Sequence, residues 1–246
     1  MIQKMNNSLV NIGTSGWSYN HWTGKFYPAD LKNKKWLNYY SKEFNTVEVN
    51  SSFYHLPKLK TFVNWGKNTS DDFLFSVKVS RYITHIKRLI SCREALDKLL
   101  TAAKGLGEKL GPFLFQLPPN LKEDKSRLKN FLEILPKDYR FAFEFRDGSW
   151  FIKDIYDLLE EFNCAVVISS SPKFPYREKI TGDFCYIRMH GPEGLYCSCY
   201  SENELKKIVV LIKKNLKKNI ENYVYFNNDA EGYAVENAKT LMKMVL

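Results

Sequence analysis

The chain has 246 residues, of which 44% are hydrophobic and 26% are charged. These are ordinary values for a soluble globular protein, and the length suits one large α/β domain or two small ones. No apolar stretch of about 18 residues is present, so no membrane span is expected. The first ten residues hold no long apolar run, so no signal peptide is expected either.

The net charge of +10 can attract polyanions such as nucleic acid. Lysine-rich runs at 32–35 and 213–218 are nevertheless interpreted more simply as solvated helix faces. Nucleic acid therefore stays as an alternative partner rather than the leading one.

The five cysteines are odd in number and form no C-x-x-C pair. Because no export signal is visible, we expect reduced thiols and a cytoplasmic protein. Cys197 and Cys199 form a C-x-C pair, which lacks the spacing of a structural zinc site.

Short runs rich in β-branched or aromatic residues recur along the chain and are predicted as strands. The eight predicted strands cover 9–12, 46–50, 74–79, 113–117, 141–145, 165–168, 185–189 and 223–226. Segments with apolar residues at helical spacing lie between them. The predicted helices cover 36–40, 62–65, 93–106, 128–135, 151–162, 201–216 and 234–246, and Ser201 with Glu204 forms a capping box.

We interpret this alternation as strand then helix, eight times, which is the pattern of a (β/α)8 barrel. An open doubly wound sheet is the competing fold, but it usually has fewer strands, and no G-x-G-x-x-G fingerprint follows the first strand. We therefore predict an α/β fold, a single TIM-barrel domain over residues 1–246. The long, aromatic loop 13–22 is expected to fold over the barrel mouth.

Polar side chains recur at the predicted strand ends, where the active site of such a barrel lies. Strand side chains alternate in direction, so two polar residues at spacing two face the same side. Five strands carry such a pair, namely Glu48 and Asn50, Ser76 and Lys78, Glu144 and Arg146, Arg188 and His190, and Asn227 and Asp229. Scattered polar residues on an open sheet are the alternative, but random polarity would not keep this phase so often.

The charges within this set suggest an anionic ligand. Lys78, Arg146 and Arg188 are cations that suit a phosphate or a carboxylate. We assign the predicted catalytic set to Glu48, Glu144, His190 and Asp229. We assign the predicted substrate-binding set to Asn50, Lys78, Gln116, Arg146, Arg188, Asn227, Trp17 and Tyr54. For each charge a structural brace is the alternative, and for the aromatic residues it is packing under long loops.

A metal site can also be considered, because Glu48, Glu144, His190 and Asp229 offer oxygen and nitrogen ligands. Only four histidines exist, however, and three nearby cations would oppose a divalent ion. We therefore assign no metal ligand and leave the cofactor open, with a divalent metal possible but not favoured. His190 is instead the natural acid or base, since a histidine pKa lies near neutrality.

The residues resemble those of the YecE-like proteins, domain of unknown function 72, over nearly the whole chain. The motifs are GTSGW (13–17) with Trp22, EVNSSFY (48–54), FSVK (75–78), RYITH (81–85), GPFLFQLPP (111–119), EFR (144–146) with Ser149 and Trp150, RMHG (188–191), and FNND (226–229) with Asn237 and Ala238. The resemblance implies a TIM-barrel fold and no settled activity. Two positions depart from the pattern: serines at 169–171 stand where an acidic residue is expected, and Ser198 stands where glycine is common.

The leading functional prediction is a hydrolase-like enzyme that acts on a phosphorylated or nucleic-acid-derived anionic ligand at the barrel mouth. Glu48 or Glu144 would be the general base, His190 the acid or base, and the three cations would hold the anion. A non-catalytic nucleic-acid-binding protein is one alternative, and a metal-dependent sugar isomerase or lyase is another. The sequence does not indicate the oligomeric state.

Overall fold

Residues 9–245 are described by a computed structural model, in which eight parallel strands alternate with helices. The strands are β1 Val10–Thr14, β2 Thr46–Val49, β3 Leu74–Lys78, β4 Leu110–Gln116, β5 Phe141–Glu144, β6 Ala165–Ser170, β7 Phe184–Met189 and β8 Glu221–Phe226. The helices are α1 Trp36–Glu43, α2 Ser51–Tyr54, α3 Leu59–Lys67, α4 Arg93–Ala103, α5 Lys125–Leu132, α6 Lys153–Glu161, α7 Glu202–Leu216 and α8 Tyr233–Val245. The predicted (β/α)8 fold is confirmed, while the domain bounds 1–246 stay a prediction.

The strands form one sheet in the order β1-β8-β7-β6-β5-β4-β3-β2. The barrel is nearly closed where β1 meets β2, because a single parallel bridge joins Ser15 to Glu48 there. The Gly16 amide also donates to the Glu48 carbonyl at 2.8 Å. This junction lies at the carboxyl end of both strands, so the barrel mouth is well defined on that side.

Tyr40 of α1 replaces the missing ladder hydrogen bonds between β1 and β2. Its hydroxyl accepts from the Thr14 amide at 2.8 Å and donates to the Thr46 carbonyl at 3.1 Å. Gly13 makes the close approach possible, because a Cβ there would lie 2.1 Å from the Thr46 carbonyl oxygen. Any side chain at position 13 would therefore force the two strands apart.

Alternation along the strands separates two apolar cores. One lies inside the barrel and consists of Leu114, Ala142, Ala165, Val167, Phe184, Tyr186, Tyr223 and Tyr225. The other lies between the strands and the helices, where the predicted stripe of α4, with Leu96 and Leu99, is buried. Full burial of each such leucine contributes about 2 kcal/mol. The capping box of Ser201 with Glu204 is also present at the start of α7.

One part of the predicted alternation is wrong: no helix separates β6 from β7. Residues 171–183, all within the described part of the chain, run as bends and irregular backbone. Pro172 and Pro175 explain this, because proline lacks an amide donor and disfavours helix at the preceding residue. The Thr181 hydroxyl instead accepts from the Val166 amide at 2.8 Å, which ties the segment to β6.

Among residues 9–245, no helix has both the length and the apolar character needed to cross a bilayer. The expectation that no signal peptide is present concerns the first ten residues. Eight of these lie outside the described part, so that expectation stays a prediction.

Candidate active site

The polar residues of the strand ends converge inside the barrel. Arg188 of β7 lies at the centre and is fully buried. Its Nε and Nη2 donate to the two oxygens of Glu48 at 3.0 and 2.7 Å, and its Nη1 donates to Glu144 at 2.6 Å. Both carboxylates are also fully buried. Strand β7 thus supplies the cation that a carboxylate of β2 and a carboxylate of β5 share.

Arg188 keeps both carboxylates ionised. Burial alone would raise the pKa of Glu48, but the charge and hydrogen bonds of Arg188 outweigh it and hold the pKa below its usual value. The pKa of Glu144 lies well below its usual range, because Arg188, Arg146 and His190 together outweigh burial. The buried group therefore behaves as a paired ionic network rather than as free acids.

Glu48 has no free oxygen for proton transfer. Besides the two bonds from Arg188, its oxygens accept from the Tyr186 hydroxyl at 2.7 Å and the Ser15 hydroxyl at 2.8 Å. A carboxylate with four donors is fully satisfied. In this arrangement Glu48 braces the barrel, and use as a general base would require it to lose one of these bonds.

His190 is held neutral beneath two aromatic rings. Its Nε2 lies 2.8 Å from Glu144, and its Nδ1 lies 3.2 Å from the Asn227 amide nitrogen, so Nε2–H donates and Nδ1 accepts. Burial lowers the pKa of His190 to about 4, although Glu144 opposes the shift. The rings of Phe174 and Tyr196 pack edge-on against the imidazole. His190 therefore orients Glu144 and is shielded from the mouth.

Arg146 lies just beyond β5 and keeps unused donors. Its Nη2 donates to the Gln116 side chain at 3.0 Å and to the Tyr196 hydroxyl at 3.2 Å, and its guanidinium stacks 4.2 Å from the Phe174 ring. Its Nε is buried and has no hydrogen-bond partner among the described residues. A buried donor without a partner is costly, so this nitrogen is a candidate contact for a ligand.

Lys78, at the inward end of β3, is the second cation with an unused donor. Its Nζ lies 4.2 Å from the centre of the Phe53 ring. Within the described part of the chain it makes no hydrogen bond or ion pair, although the side chain is partly buried. Burial, together with the charge of Arg188, lowers the pKa of Lys78 to about 7.

The other predicted binding residues differ in their surroundings. Asn50 follows β2 beside the end of β3, and its side-chain oxygen is buried without a partner among the described residues. Tyr54 is 67% exposed and touches Phe53 edge-on, so it stands outside the cluster. Trp17 packs perpendicular to Trp65 with ring centres 5.1 Å apart, which is a packing contact.

Asp229 does not join the other carboxylates. It lies at the rim, where its carboxylate is 3.9 Å from the His21 ring and its carbonyl accepts from His21 at 2.8 Å and Trp22 at 3.3 Å. Burial raises the pKa of Asp229. Its position joins the loop after β8 to the loop after β1, and no contact links it to Glu48 or Glu144 in the described residues.

Two residues of the network were missed in the sequence. Tyr186 stands two positions before Arg188 on the same face of β7, so its phase was a readable signal. Phe174 lies in the helix-free segment after β6, where no periodic pattern marks it. Ser169 stands in the region where an acidic residue was expected, and its hydroxyl donates to Glu144 at 3.3 Å. A carboxylate at that position would instead repel Glu144.

No group of three or more His, Cys, Asp or Glu side chains within residues 9–245 is arranged to hold a metal ion. Glu48 and Glu144 are separated by the guanidinium of Arg188, and Asp229 lies apart at the rim. The four residues considered above as metal ligands are therefore not brought together as one set.

Fold and site together define a class of protein: a (β/α)8 barrel with a buried ionic network beneath two cations at its C-terminal mouth. Residues 11–246 match the family described as "Protein of unknown function DUF72". The chain belongs to this family, which confirms the resemblance noted in the sequence.

Named relatives and solved structures agree with this assignment. The chain is 30% identical to UPF0759 protein YecE of Escherichia coli K12 over 59% of its own length, and it spans about half (51%) of that relative. It is 24% identical to UPF0759 protein YunF of Bacillus subtilis, covering 96% of this chain and 95% of that protein. A crystal structure of a DUF72 family protein from Thermotoga maritima has a TM-score of 0.86 and 33% identity, covering 96% and 99% of the two chains.

Proposed function

We propose that this chain is an enzyme that acts on a small anionic ligand, bearing a phosphate or a carboxylate, at the C-terminal mouth of the barrel. One observation carries the proposal: Lys78 and Arg146 keep unused donors, while Arg188 already neutralises the carboxylates beneath them. Donors without partners are suited to charge-assisted hydrogen bonds with an anion.

The charge balance of the site supports an anion rather than a cation. Glu48 and Glu144 are matched by Arg188, Arg146 and Lys78, so the cations outnumber the carboxylates. Arg188 cannot itself reach a ligand, because it is fully buried and each of its three nitrogens donates to a carboxylate. We therefore assign the anion to Arg146, place Lys78 beside it as a cation in its protonated form and a base in its unprotonated form, and make Arg188 a positioning residue.

Hydrolysis of a phosphorylated or nucleic-acid-derived ligand is the reaction we propose. Lys78 is the group best suited to accept a proton from water, because its pKa is lowered to about 7 by burial and the nearby Arg188. Glu48 and His190, the bases predicted from the sequence, are fully buried and hydrogen-bonded at both oxygens or both nitrogens. Gln116 and Asn227 would act by orienting Arg146 and His190.

Calorimetric titration with glycerol 3-phosphate tests the binding claim, with uncharged glycerol as the ligand control. We expect Arg146→Gln and Lys78→Met each to weaken binding by about tenfold or more, since a hydrogen bond to a charged group contributes roughly 1.5–3 kcal/mol. Lys98→Met, on the exposed face of α4, is the matched control and should bind like the wild type. Unchanged affinity in both site variants would refute the anion site.

Release of inorganic phosphate from the same compound tests the reaction. Turnover that is lost in Lys78→Met would support hydrolysis with Lys78 as the base. Binding that depends on Arg146 but yields no phosphate, with this compound and with short oligonucleotides, would contradict hydrolysis and leave the anion site standing.

A nucleic-acid-binding role is favoured by one feature of the rim. Tyr54 and Tyr82 are 67% and 45% exposed, and Arg81 is exposed beside Tyr82. The ring centres of Phe53 and His85 lie 5.1 Å apart, so the segment that carries Tyr54 packs against the segment that carries Tyr82. Exposed aromatic and basic side chains suit stacking on single-stranded nucleic acid. Fluorescence anisotropy with a single-stranded oligonucleotide tests this: binding should weaken steeply with salt and with Tyr54→Ala.

The metal-dependent sugar isomerase or lyase stays the third candidate. It predicts a stoichiometric divalent metal in the purified protein, whereas the anion-binding hydrolase does not require one. Elemental analysis after extensive dialysis separates the two, and a metal retained at one per chain would favour the isomerase.

We propose a cytoplasmic location because the cysteines are free thiols. Cys92, Cys164 and Cys185 are buried as free thiols, and Cys197 and Cys199 are exposed and unpaired. Free exposed thiols are typical of a reducing compartment. Cell fractionation with a tagged full-length protein tests the assignment.

A further inference from the structure

We infer that the Nζ amine of Lys78 forms a covalent imine with the carbonyl carbon of a small anionic aldehyde or ketone bound at the barrel mouth. This activity rests on the proposed anion site and adds a covalent step to it. It also narrows the substrate class, because the ligand must carry both a reactive carbonyl and a phosphate or carboxylate.

The amine of Lys78 is held in one place without being consumed by a partner. The Ser52 hydroxyl donates to the Lys78 carbonyl at 2.6 Å and to the Val49 carbonyl at 3.0 Å, which fixes the end of β3 against α2. The Nζ of Lys78 lies 4.2 Å from the centre of the Phe53 ring, which packs against it. Among the described residues no carboxylate pairs with it, since Glu48 is bound by Arg188.

The charged groups around Lys78 come from four other parts of the barrel. Glu48 of β2 and Glu144 of β5 favour its protonated form, whereas Arg188 of β7 and Arg146 beyond β5 oppose it. His85, in the turn after β3, is itself kept neutral, because burial and then the charge of Lys78 lower its pKa to about 4. Burial and the two arginines outweigh the two carboxylates and lower the pKa of Lys78 to about 7. Much of the amine is therefore unprotonated at neutral pH.

A neutral, desolvated lysine near other cations is a nucleophile suited to carbonyl compounds. The nitrogen lone pair of Lys78 attacks the carbonyl carbon, the nitrogen loses one proton, and the former carbonyl oxygen gains one to give a carbinolamine. The carbon–oxygen bond then breaks, the nitrogen loses its second proton as the carbon–nitrogen double bond forms, and the oxygen leaves with both protons as water. No oxidant, reductant or metal is needed, and one water is released for each imine.

A second, independent observation indicates a ligand at this position. The Asn50 side-chain oxygen is buried without a hydrogen-bond partner among the described residues. Asn50 and Lys78 each come directly after the paired residues Val49 and Val77, so both lie at the carboxyl ends of β2 and β3. An unpaired buried acceptor beside an unpaired amine fits a ligand that presents a hydroxyl donor, as the carbinolamine does. Arg146 Nε, a buried donor without a partner among the described residues, is assigned to the anion.

Borohydride trapping of the wild-type protein tests the inference. The protein is incubated separately with glyoxylate, glyceraldehyde 3-phosphate and uncharged propanal, reduced, digested and examined by peptide mass spectrometry. We expect glyoxylate and glyceraldehyde 3-phosphate to modify Lys78 at least about tenfold faster than the exposed Lys98 and Lys153, because an amine near pKa 7 is far less protonated than an ordinary lysine. The rate should rise as the pH passes through about 7.

Variants and a competitor keep the possible outcomes distinct. Lys78→Arg and Lys78→Met should lose the modification, and Arg146→Gln should slow it about tenfold, as loss of a hydrogen bond to a charged group implies. Modification spread evenly over surface lysines overturns the inference. If glycerol 3-phosphate binds in an Arg146-dependent way but Lys78 is never modified, the imine is refuted and the proposed anion site survives. If propanal modifies Lys78 as fast as glyoxylate does, the anionic substrate class is wrong.

Discussion

The charges of the buried network all have partners, whereas the cations at the mouth of the barrel keep donors without partners. In the network, Arg188, Glu48 and Glu144 satisfy one another through short, direct hydrogen bonds and have no contact with solvent. At the mouth, Lys78 and the Nε of Arg146 have no partner among the described residues. Cations at different strand ends of the same barrel are therefore a brace in one place, at Arg188, and candidate ligand contacts in the other, at Lys78 and Arg146.

The difference indicates that the role of a polar strand-end residue in this barrel depends on whether the residue already has a partner. A buried ion pair is strongly destabilising to break, because its partner is left unpaired in a low dielectric. An unpaired amine, in contrast, is already costly in the folded state and gains from a ligand. Replacing residues of the two regions should therefore give opposite patterns of stability and binding.

The largest effect is expected for Arg188→Met. Two fully buried carboxylates would lose their shared cation, so the free energy of unfolding should fall by about 3–5 kcal/mol. Urea denaturation followed by circular dichroism measures this. Lys98→Met, on the exposed face of α4, should leave the unfolding midpoint unchanged. A loss for Arg188→Met below about 1 kcal/mol, which is ordinary for a point mutation, would mean that the network is not a brace.

The next effect is a loss of stability in mild acid. The folded pKa of His190 is about 4, below the 6.5 of a free histidine, so the unfolded chain binds more protons between these values. Stability should therefore fall as the pH drops through 6.5 towards 4, by about 2 kcal/mol between pH 6.5 and 5 if each pKa unit is worth 1.36 kcal/mol. His190→Gln, compared by denaturation at both pH values, should lose most of this dependence. An equal slope in the variant would assign it to other groups.

The carboxylates of the network predict a further loss at lower pH. The folded pKa values of Glu48 and Glu144 lie below 4.5, so their contribution is complete above the unfolded pKa and is lost as the pH falls through the folded values. Denaturation curves below pH 4.5 should show this second decline in the wild type. Stability that is flat over this range would contradict the ionised network.

A smaller effect is expected for Tyr186→Phe, which removes one donor from Glu48. The 2.7 Å bond is buried, so its loss should lower the free energy of unfolding by about 1–2 kcal/mol. Tyr54→Phe is the matched control, because Tyr54 is 67% exposed and its hydroxyl contacts no buried group among the described residues. Equal losses in the two variants would show that the hydroxyl of Tyr186 adds nothing to the network.

The smallest change in stability is expected for Lys78→Met, at the mouth. The substitution keeps the packing over Phe53 and removes a desolvated amine, so the free energy of unfolding should change by less than about 0.5 kcal/mol or should rise. Thermal and urea denaturation measure this beside Arg188→Met. A loss comparable to that of Arg188→Met would place Lys78 in the structural network.

The sequence predicted the barrel and the inward phase of its polar residues because both depend on local patterns. Eight strands, the stripe of α4 and the capping box at Ser201 are read from spacing alone. The absence of a helix after β6 was not predicted, because the strand count suggested a complete alternation. Pro172 and Pro175 were the available signal. Which cation pairs with which carboxylate was not readable, since Arg188 and Glu48 are 140 residues apart.

The catalytic roles predicted for Asp229 and His190 depend on where a loop lies. Asp229 has the right spacing from Asn227, but the chain has already left the strand there and turns towards His21 at the rim. His190 has the right phase, yet Phe174 and Tyr196 cover it from loops without periodic pattern. Strand phase was therefore a good guide as far as Arg146, two residues beyond β5, and it failed at Asp229, three residues beyond β8.

The titration of Lys78 itself is the most direct test of the contrast between network and mouth. Nuclear magnetic resonance of protein with ¹³C at the lysine Cε, with Lys78→Met to assign the signal, reports the protonation of each lysine across a pH series. We predict that Lys78 titrates near a pKa of about 7, well below the ordinary lysine value of 10.5. A Lys78 that titrates with the surface lysines would show that its amine is solvated or paired, and would contradict the proposed site.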